Sequence, residues 1–123
     1  SDIIELSIDD GASIIPIQKS RKIIFFGDSI THGYDAEYTS NSYASRIMLS
    51  LNAEARNKGI GGEIFRADLA RIKDDEFEPD IITVAYGTND WFLNVTRPDF
   101  CNETDGFFSA LINNYPKAKI FAI

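Results

Sequence analysis

Apolar and polar positions fall into blocks along this chain. Ile23-Ile24-Phe25-Phe26 is a continuous apolar run that stops at Gly27-Asp28-Ser29. A short apolar run closed by a polar turn predicts a strand, about 23–27, buried on both faces. A loop with Gly33, Asp35 and Thr39 follows. Tyr43, Ile47 and Leu51 then recur at i, i+4 and i+8. That spacing predicts a helix running to about 52, capped by Ser40, Asn41 or Ser42. Ala53 to Lys58 reads as a second strand, ending at Gly59-Ile60-Gly61-Gly62. A second helix is expected next, with Phe65, Leu69 and Ile72 on one face, and Pro79 closes that unit. Ile81-Ile82-Thr83-Val84-Ala85 predicts a central strand that ends at Gly87-Thr88-Asn89-Asp90. A third helix is expected over about 99–115, with Phe107, Phe108, Leu111, Ile112 and Tyr115 apolar, stopped by Pro116. A fourth strand begins at Lys119.

Before these units, residues 3–17 hold two apolar runs around Asp9-Asp10-Gly11-Ala12, and Asp-Gly between apolar runs predicts a hairpin. Residues 1–22 are therefore expected to form an N-terminal β segment and linker, the end of a preceding β module or a sheet edge. Residues 23–123 form the main domain. Strands alternating with helices imply an α/β fold on a parallel sheet with right-handed crossovers.

Composition narrows the function classes. The chain has 123 residues, enough for one domain or part of one, and 44% of them are hydrophobic. Twelve basic against 19 acidic residues give a net charge of −7. No Lys/Arg cluster reaches five residues, so a nucleic-acid backbone would be repelled. Cys101 is the single cysteine, which excludes an internal disulfide and a cysteine-rich zinc site. Asp74-Asp75-Glu76 lacks the spacing of a calcium loop. No apolar run approaches the ~18 residues of a membrane span, and no signal peptide is visible, so the sequence assigns no compartment. Asn94-Val95-Thr96 and Asn102-Glu103-Thr104 match the glycosylation pattern, which short sequences produce by chance.

The chemistry-bearing residues sit on three turns, each following a strand, and parallel strands bring such turns to one edge of the sheet. The turns supply Ser29, a glycine pair and Asn89. Acyl transfer needs such a set: a hydroxyl nucleophile, plus backbone and amide donors for the oxyanion. Each residue also has a plainer reading. Ser29 suits a helix cap, Gly61 and Gly62 suit a strained turn, and Asn89 suits a loop tie. Asp28 and Asp90 read as loop organisers. His32, the sole histidine, is a substitute base, a substrate-pocket residue or a solvated side chain. Trp91 and Phe92 either flank the substrate or pack.

Gly27-Asp28-Ser29-Ile30-Thr31, Gly59-Ile60-Gly61-Gly62-Glu63 and Gly87-Thr88-Asn89-Asp90 together resemble the first three sequence blocks of the SGNH (GDSL-type) hydrolase superfamily. The resemblance covers roughly residues 23–123. It implies a three-layer α/β/α, flavodoxin-like fold and ester hydrolysis without metal or cofactor. It assigns Ser29 as nucleophile, with its own N–H in the oxyanion hole. Gly62, favoured over Gly61 by alignment, would donate its N–H, and Asn89 its side-chain amide. The family's fourth block, Asp-x-x-His, is absent from the sequence. The expectation is an N-terminal portion of a longer enzyme, nearly inert alone for want of its base.

An ester of a carbohydrate, above all an acetyl ester, is the expected substrate, since the N-terminal β segment resembles carbohydrate esterases that carry a β module. Two other readings stand beside it. One is a flavodoxin-like module holding phosphate or nucleotide at the turn after strand 1, against which Asp28 argues. The other is a catalytically inert fragment whose exposed sheet edge pairs with a second copy, a homodimer.

Overall fold

The computed structural model describes residues 7–123. The chain forms β1 (Arg21–Gly27), α1 (Ser29–His32), a 3₁₀ turn at Thr39–Asn41, α2 (Tyr43–Ser50), β2 (Ala53–Gly59), α3 (Ala67–Arg71), β3 (Ile81–Ala85), α4 (Thr88–Phe92), α5 (Arg97–Asn114) and β4 (Lys119–Ala122). The four strands lie in the order β2-β1-β3-β4, and every pairing is parallel.

The strand β1 is central because both of its faces are apolar. Ile24 and Phe26 point to one side, where they meet Phe65, Phe77, Ile82, Val84, Phe107, Leu111 and Tyr115. Ile23 and Phe25 point to the other, against Ala44, Ala53, Tyr43, Ile47 and Met48. Helices α3 and α5 cover the first face and α2 the second. This is the α/β layered arrangement that strand–helix alternation implies, with helices on both faces of a parallel sheet.

Ser42, one of three candidate caps, starts α2: its Oγ accepts from Ser45 N at 3.2 Å. Thr96 caps α5 in the same way through Asp99 N, with Pro98 in the first turn.

The structure corrects several expectations. The predicted hairpin does not form among residues 7–20. The turn closes, with Ala12 N donating to Asp9 O at 3.0 Å, but no strand follows it; residues 3–6 of its first arm lie outside the described residues. Ile14, Ile15 and Ile17 stand exposed. A two-stranded ribbon with no third strand or apolar partner is marginal in water.

The second helix is shorter than its pattern: Phe65 precedes it and Ile72, after its end, is exposed. Tertiary ties set its ends. Glu103 Oε2 on α5 accepts from Ala67 N at 2.7 Å, and Asn114 Nδ2 donates to Ala70 O at 2.8 Å. Leu51 lies just past α2 and Ile112 faces outward from α5; both are exposed. No described helix is long and apolar enough to cross a membrane.

Candidate active site

The turn after β1 is built by glycine, aspartate and serine in distinct roles. Gly27 leaves no room for a side chain: a Cβ there would strike Thr31 Oγ1 and lie 2.7 Å from Ala85 O. Asp28 is buried and caps α1, its Oδ1 accepting from Ile30 N at 2.9 Å. Capping, the plainer reading of Ser29, therefore falls to Asp28, the loop organiser read from the sequence. Ser29 is the first helical residue and is half-buried. Gly33, at φ 109°, closes α1 with its N–H on Ser29 O and Ile30 O. A left-handed glycine is a common way to end a helix.

Helix α1 is fastened to the end of β2. Asn57 Nδ2 donates to Thr31 O at 2.7 Å, and Asn57 Oδ1 accepts from Gly59 N at 2.9 Å. Thr31, fully buried, shares a 2.8 Å hydrogen bond with Tyr43 OH on α2. His32 Nδ1 lies 3.0 Å from Gly59 O, so the ring is engaged by the backbone of β2. A neutral imidazole donating from Nδ1 keeps Nε2 as its acceptor.

The glycine turn follows directly. Ile60 N donates to Gly27 O at 2.9 Å, carrying the β1–β2 ladder one step beyond the strands. Glu63 N then donates to Ile60 O at 3.2 Å, and Gly62 takes φ 75°. A Cβ on Gly62 would meet nothing within 4 Å. Its glycine thus serves the left-handed backbone rather than space. Both glycines are exposed, and among the described residues neither N–H has a backbone acceptor.

The third turn leads into α4, a short helix where the sequence predicts only a polar turn. Gly87, at φ 119°, precedes it. Asn89 Nδ2 donates to Glu63 O at 2.9 Å. Asp90, 4% exposed, accepts from Phe65 N at 3.3 Å on each oxygen. Two successive residues of α4 thus grip the glycine turn one and three residues past Gly62. An amide nitrogen carries two protons, so Asn89 keeps one beyond the bond to Glu63.

Ser29, Gly62 and Asn89 therefore lie on neighbouring turns at one edge of the sheet, joined by the bonds from Ile60 to Gly27 and from Asn89 to Glu63. His32 turns toward β2, and Trp91, 85% exposed, stands beside Asn89 on α4. Tyr86, between β3 and this turn, was missed from the sequence. Its hydroxyl is buried toward the Gly27 backbone without a hydrogen bond. Burial, then the charges of Glu63 and Asp28, push its pKa up to about 12, so it stays a neutral phenol. Asn57 and Glu63 were also missed as ties; only the glutamate closing the glycine block gave any signal.

A family model described as GDSL-like lipase/acylhydrolase matches residues 25–123. A family two carbohydrate esterase from Cellvibrio japonicus superposes with a TM-score of 0.79 at 22% identity, over 87% of this chain and 43% of that one. AlinE4, an SGNH-hydrolase family esterase, gives a TM-score of 0.73 at 26% identity, over 87% of this chain and 60% of that one. A family two carbohydrate esterase from Clostridium thermocellum, solved in complex with cellohexaose, gives 0.74 at 22% identity, over 89% of this chain and 44% of that one. The present chain thus spans 43% to 60% of the length of these structures. At their identities the two carbohydrate esterases speak to the fold alone. No curated protein matches the chain.

Proposed function

The chain belongs to the GDSL-like lipase/acylhydrolase family, and from that premise we propose that it supplies the nucleophile and oxyanion hole of a serine ester hydrolase acting on carbohydrate esters. The observation that carries the reading is the hydrogen bond from Asn89 Nδ2 to Glu63 O. It couples the asparagine turn to the glycine turn, and the glycine turn is itself bonded to the end of β1, two residues before Ser29.

In the proposed reaction Ser29 Oγ attacks the ester carbonyl carbon and its proton passes to a general base. The carbonyl oxygen becomes an oxyanion held by the N–H groups of Ser29 and Gly62 and by the free proton of Asn89 Nδ2. Collapse expels the alcohol, protonated by the base, and leaves an acyl-serine that water hydrolyses through the same hole. His32 is poorly suited to be that base, because it lies on the short helix that begins with Ser29 and its ring is drawn toward the end of β2 at Gly59. It fits better beside the substrate, as does Trp91. The base is then proposed to come from outside these 123 residues; the chain alone is proposed to be inert, and every turnover compared below is that of the protein together with the base it needs.

The carbohydrate class draws on the carbohydrate esterases that share the fold and on Trp91, an exposed indole two residues past Asn89 on α4 that suits the face of a sugar ring. Acetyl is the proposed acyl group. The test compares hydrolysis of p-nitrophenyl acetate and of acetylated xylo-oligosaccharides by the protein carrying its base and by the Ser29→Ala variant of that same protein. Loss of both activities in the variant, with release of acetate from the sugar by the parent, supports the reading. Activity that survives Ser29→Ala would overturn it.

A further inference from the structure

Residues 60–66, which carry the glycine turn, belong to neither helix nor strand. Such a segment has no ladder of its own, so its backbone groups must be tied by other means. Before the glycines, Ile60 N donates to Gly27 O at 2.9 Å. After them, Asn89 Nδ2 donates to Glu63 O at 2.9 Å, and the Asp90 carboxylate accepts from Phe65 N. A carbonyl and an N–H two residues apart are the pair that one residue of a neighbouring parallel strand would engage. Two successive side chains of α4 supply that donor and that acceptor instead.

Asp90 is a costly residue for this task. It is 4% exposed, and among the described residues its carboxylate forms no ion pair and takes no hydrogen bond other than that from Phe65 N. Each oxygen lies 3.3 Å from that nitrogen, beyond the 2.7–2.9 Å usual for a charged acceptor. A buried carboxylate so thinly supplied is a poor source of stability. What it offers is placement. Either oxygen can accept from Phe65 N, so rotation of the carboxylate never turns a donor against that N–H, as rotation of an amide would.

Both partners of this bond are themselves held. The Phe65 ring packs on Tyr86, Phe100 and Phe107, with centroids 5.2, 5.4 and 5.7 Å away. The Asp90 carbonyl accepts from Val95 N at 3.0 Å, which fastens α4 to the start of α5. Phe65 N is thus a fixed point just past the glycine turn. Gly61 and Gly62 span the short gap between Ile60 and Glu63, and the direction of the Gly62 N–H follows from how the two ends of that gap are held.

We propose that Asp90 is a positioning residue of the oxyanion hole. It holds Phe65 N and, through the three residues between, sets the direction of the Gly62 N–H. Asn89 would donate to the oxyanion directly, whereas Asp90 acts on the other donor from behind and touches no substrate. This role rests on the ester-hydrolase reading and adds to it the residue that aligns its backbone donor.

The experiment measures kcat and KM on p-nitrophenyl acetate for the protein with its base, for Asp90→Ala and for Asp90→Asn, with circular dichroism confirming each fold. Asp90→Ala should lower kcat by about 10²-fold, the scale of a displacement near 1 Å. KM should stay near that of the parent, because the donor acts on charge that develops in the transition state. Asp90→Asn keeps an acceptor oxygen, but a neutral one bonds about half as strongly, so its kcat should fall between the two. The thiono ester, with sulfur in place of the carbonyl oxygen, accepts hydrogen bonds weakly. The parent's preference for the oxygen ester should therefore shrink in Asp90→Ala. In amide NMR spectra the Gly62 resonance should move in both variants.

A parental kcat in Asp90→Ala, a rise in KM alone, or a Gly62 resonance that stays in place would overturn the role. So would a lowered Tm beside an unchanged preference for the oxygen ester. Should Asp90→Ala fail to fold, a parental kcat in Asp90→Asn overturns it. Ser29→Ala is measured beside them. Activity that survives Ser29→Ala removes the esterase reading and this role with it, whereas activity that needs Ser29 and ignores Asp90 removes the role alone.

Discussion

Asn89 Nδ2 and the Glu63 carbonyl are joined by a 2.9 Å hydrogen bond that links two turns with no sequence proximity. The bond fixes the side-chain amide in one orientation and commits one of its two protons. The second proton then has a defined direction before any substrate arrives. A donor already aimed need not reorganise during reaction, which is where its catalytic value arises.

Asn89→Ala is therefore expected to lower turnover on p-nitrophenyl acetate by ~10²–10³, the usual cost of one oxyanion donor. KM should move little, because the donor acts on charge that develops only in the transition state. Asn89→Asp should be at least as damaging, since a carboxylate has no proton for Glu63 O or for an oxyanion. Steady-state kinetics on the parent and both variants decide it. A fall confined to KM would mean that Asn89 binds substrate rather than the transition state.

The strand ends were legible because a buried parallel strand writes itself as an apolar run, and the residue that breaks the run marks its carboxyl end. Ile23 to Phe26 and Ile81 to Ala85 show this plainly. Helices α1 and α4 were not legible as helices. They have 4 and 5 residues, too short for an apolar period to repeat. Asn57, Glu103 and Asn114 were invisible for a different reason: each acts on a backbone group more than 20 residues away. Asp9–Ala12 shows the converse error. A turn signal is local and was right, while the hairpin it suggested needed a partner for its apolar face.

Tyr86 gives the site a pH signature. Burial, then the charges of Glu63 and Asp28, raise its pKa from the ordinary 10 to about 12. The fold thus favours the neutral phenol. Its contribution to stability is complete below about pH 10 and is lost as pH rises toward 12. Tyr86→Phe should flatten that alkaline fall, seen as a smaller drop in Tm between pH 10 and 12 than in the parent. Tyr115, also raised by burial, remains in both proteins, so the difference isolates Tyr86. The variant should also be no less stable at neutral pH, because the hydroxyl it removes has no hydrogen-bond partner. An unchanged alkaline fall would show that another group carries it.

Gly59 and Gly62 lie three residues apart and should lose stability to the same methyl group for different reasons. At Gly59 a Cβ would strike His32 N and lie 2.8 Å from the Thr31 carbonyl carbon. These are backbone atoms of α1, so the helix that starts with Ser29 must move. At Gly62 a Cβ meets nothing within 4 Å, and the cost is the left-handed φ of 75° alone, about 1–2 kcal/mol. Gly59→Ala is expected to cost ~1–3 kcal/mol or more, as overpacking does, and to lower turnover by about 10²-fold, the scale of a displacement near 1 Å. Asn57→Ala tests the same linkage from the other side. It deletes the bonds to Thr31 O and Gly59 N while creating no clash. If the clip positions the nucleophile, Asn57→Ala lowers kcat with KM held, and Asn57→Asp, which keeps only the acceptor for Gly59 N, falls between. Equal turnover in all three Asn57 proteins, beside a lowered Tm, would show that the clip holds the fold and leaves Ser29 where it was.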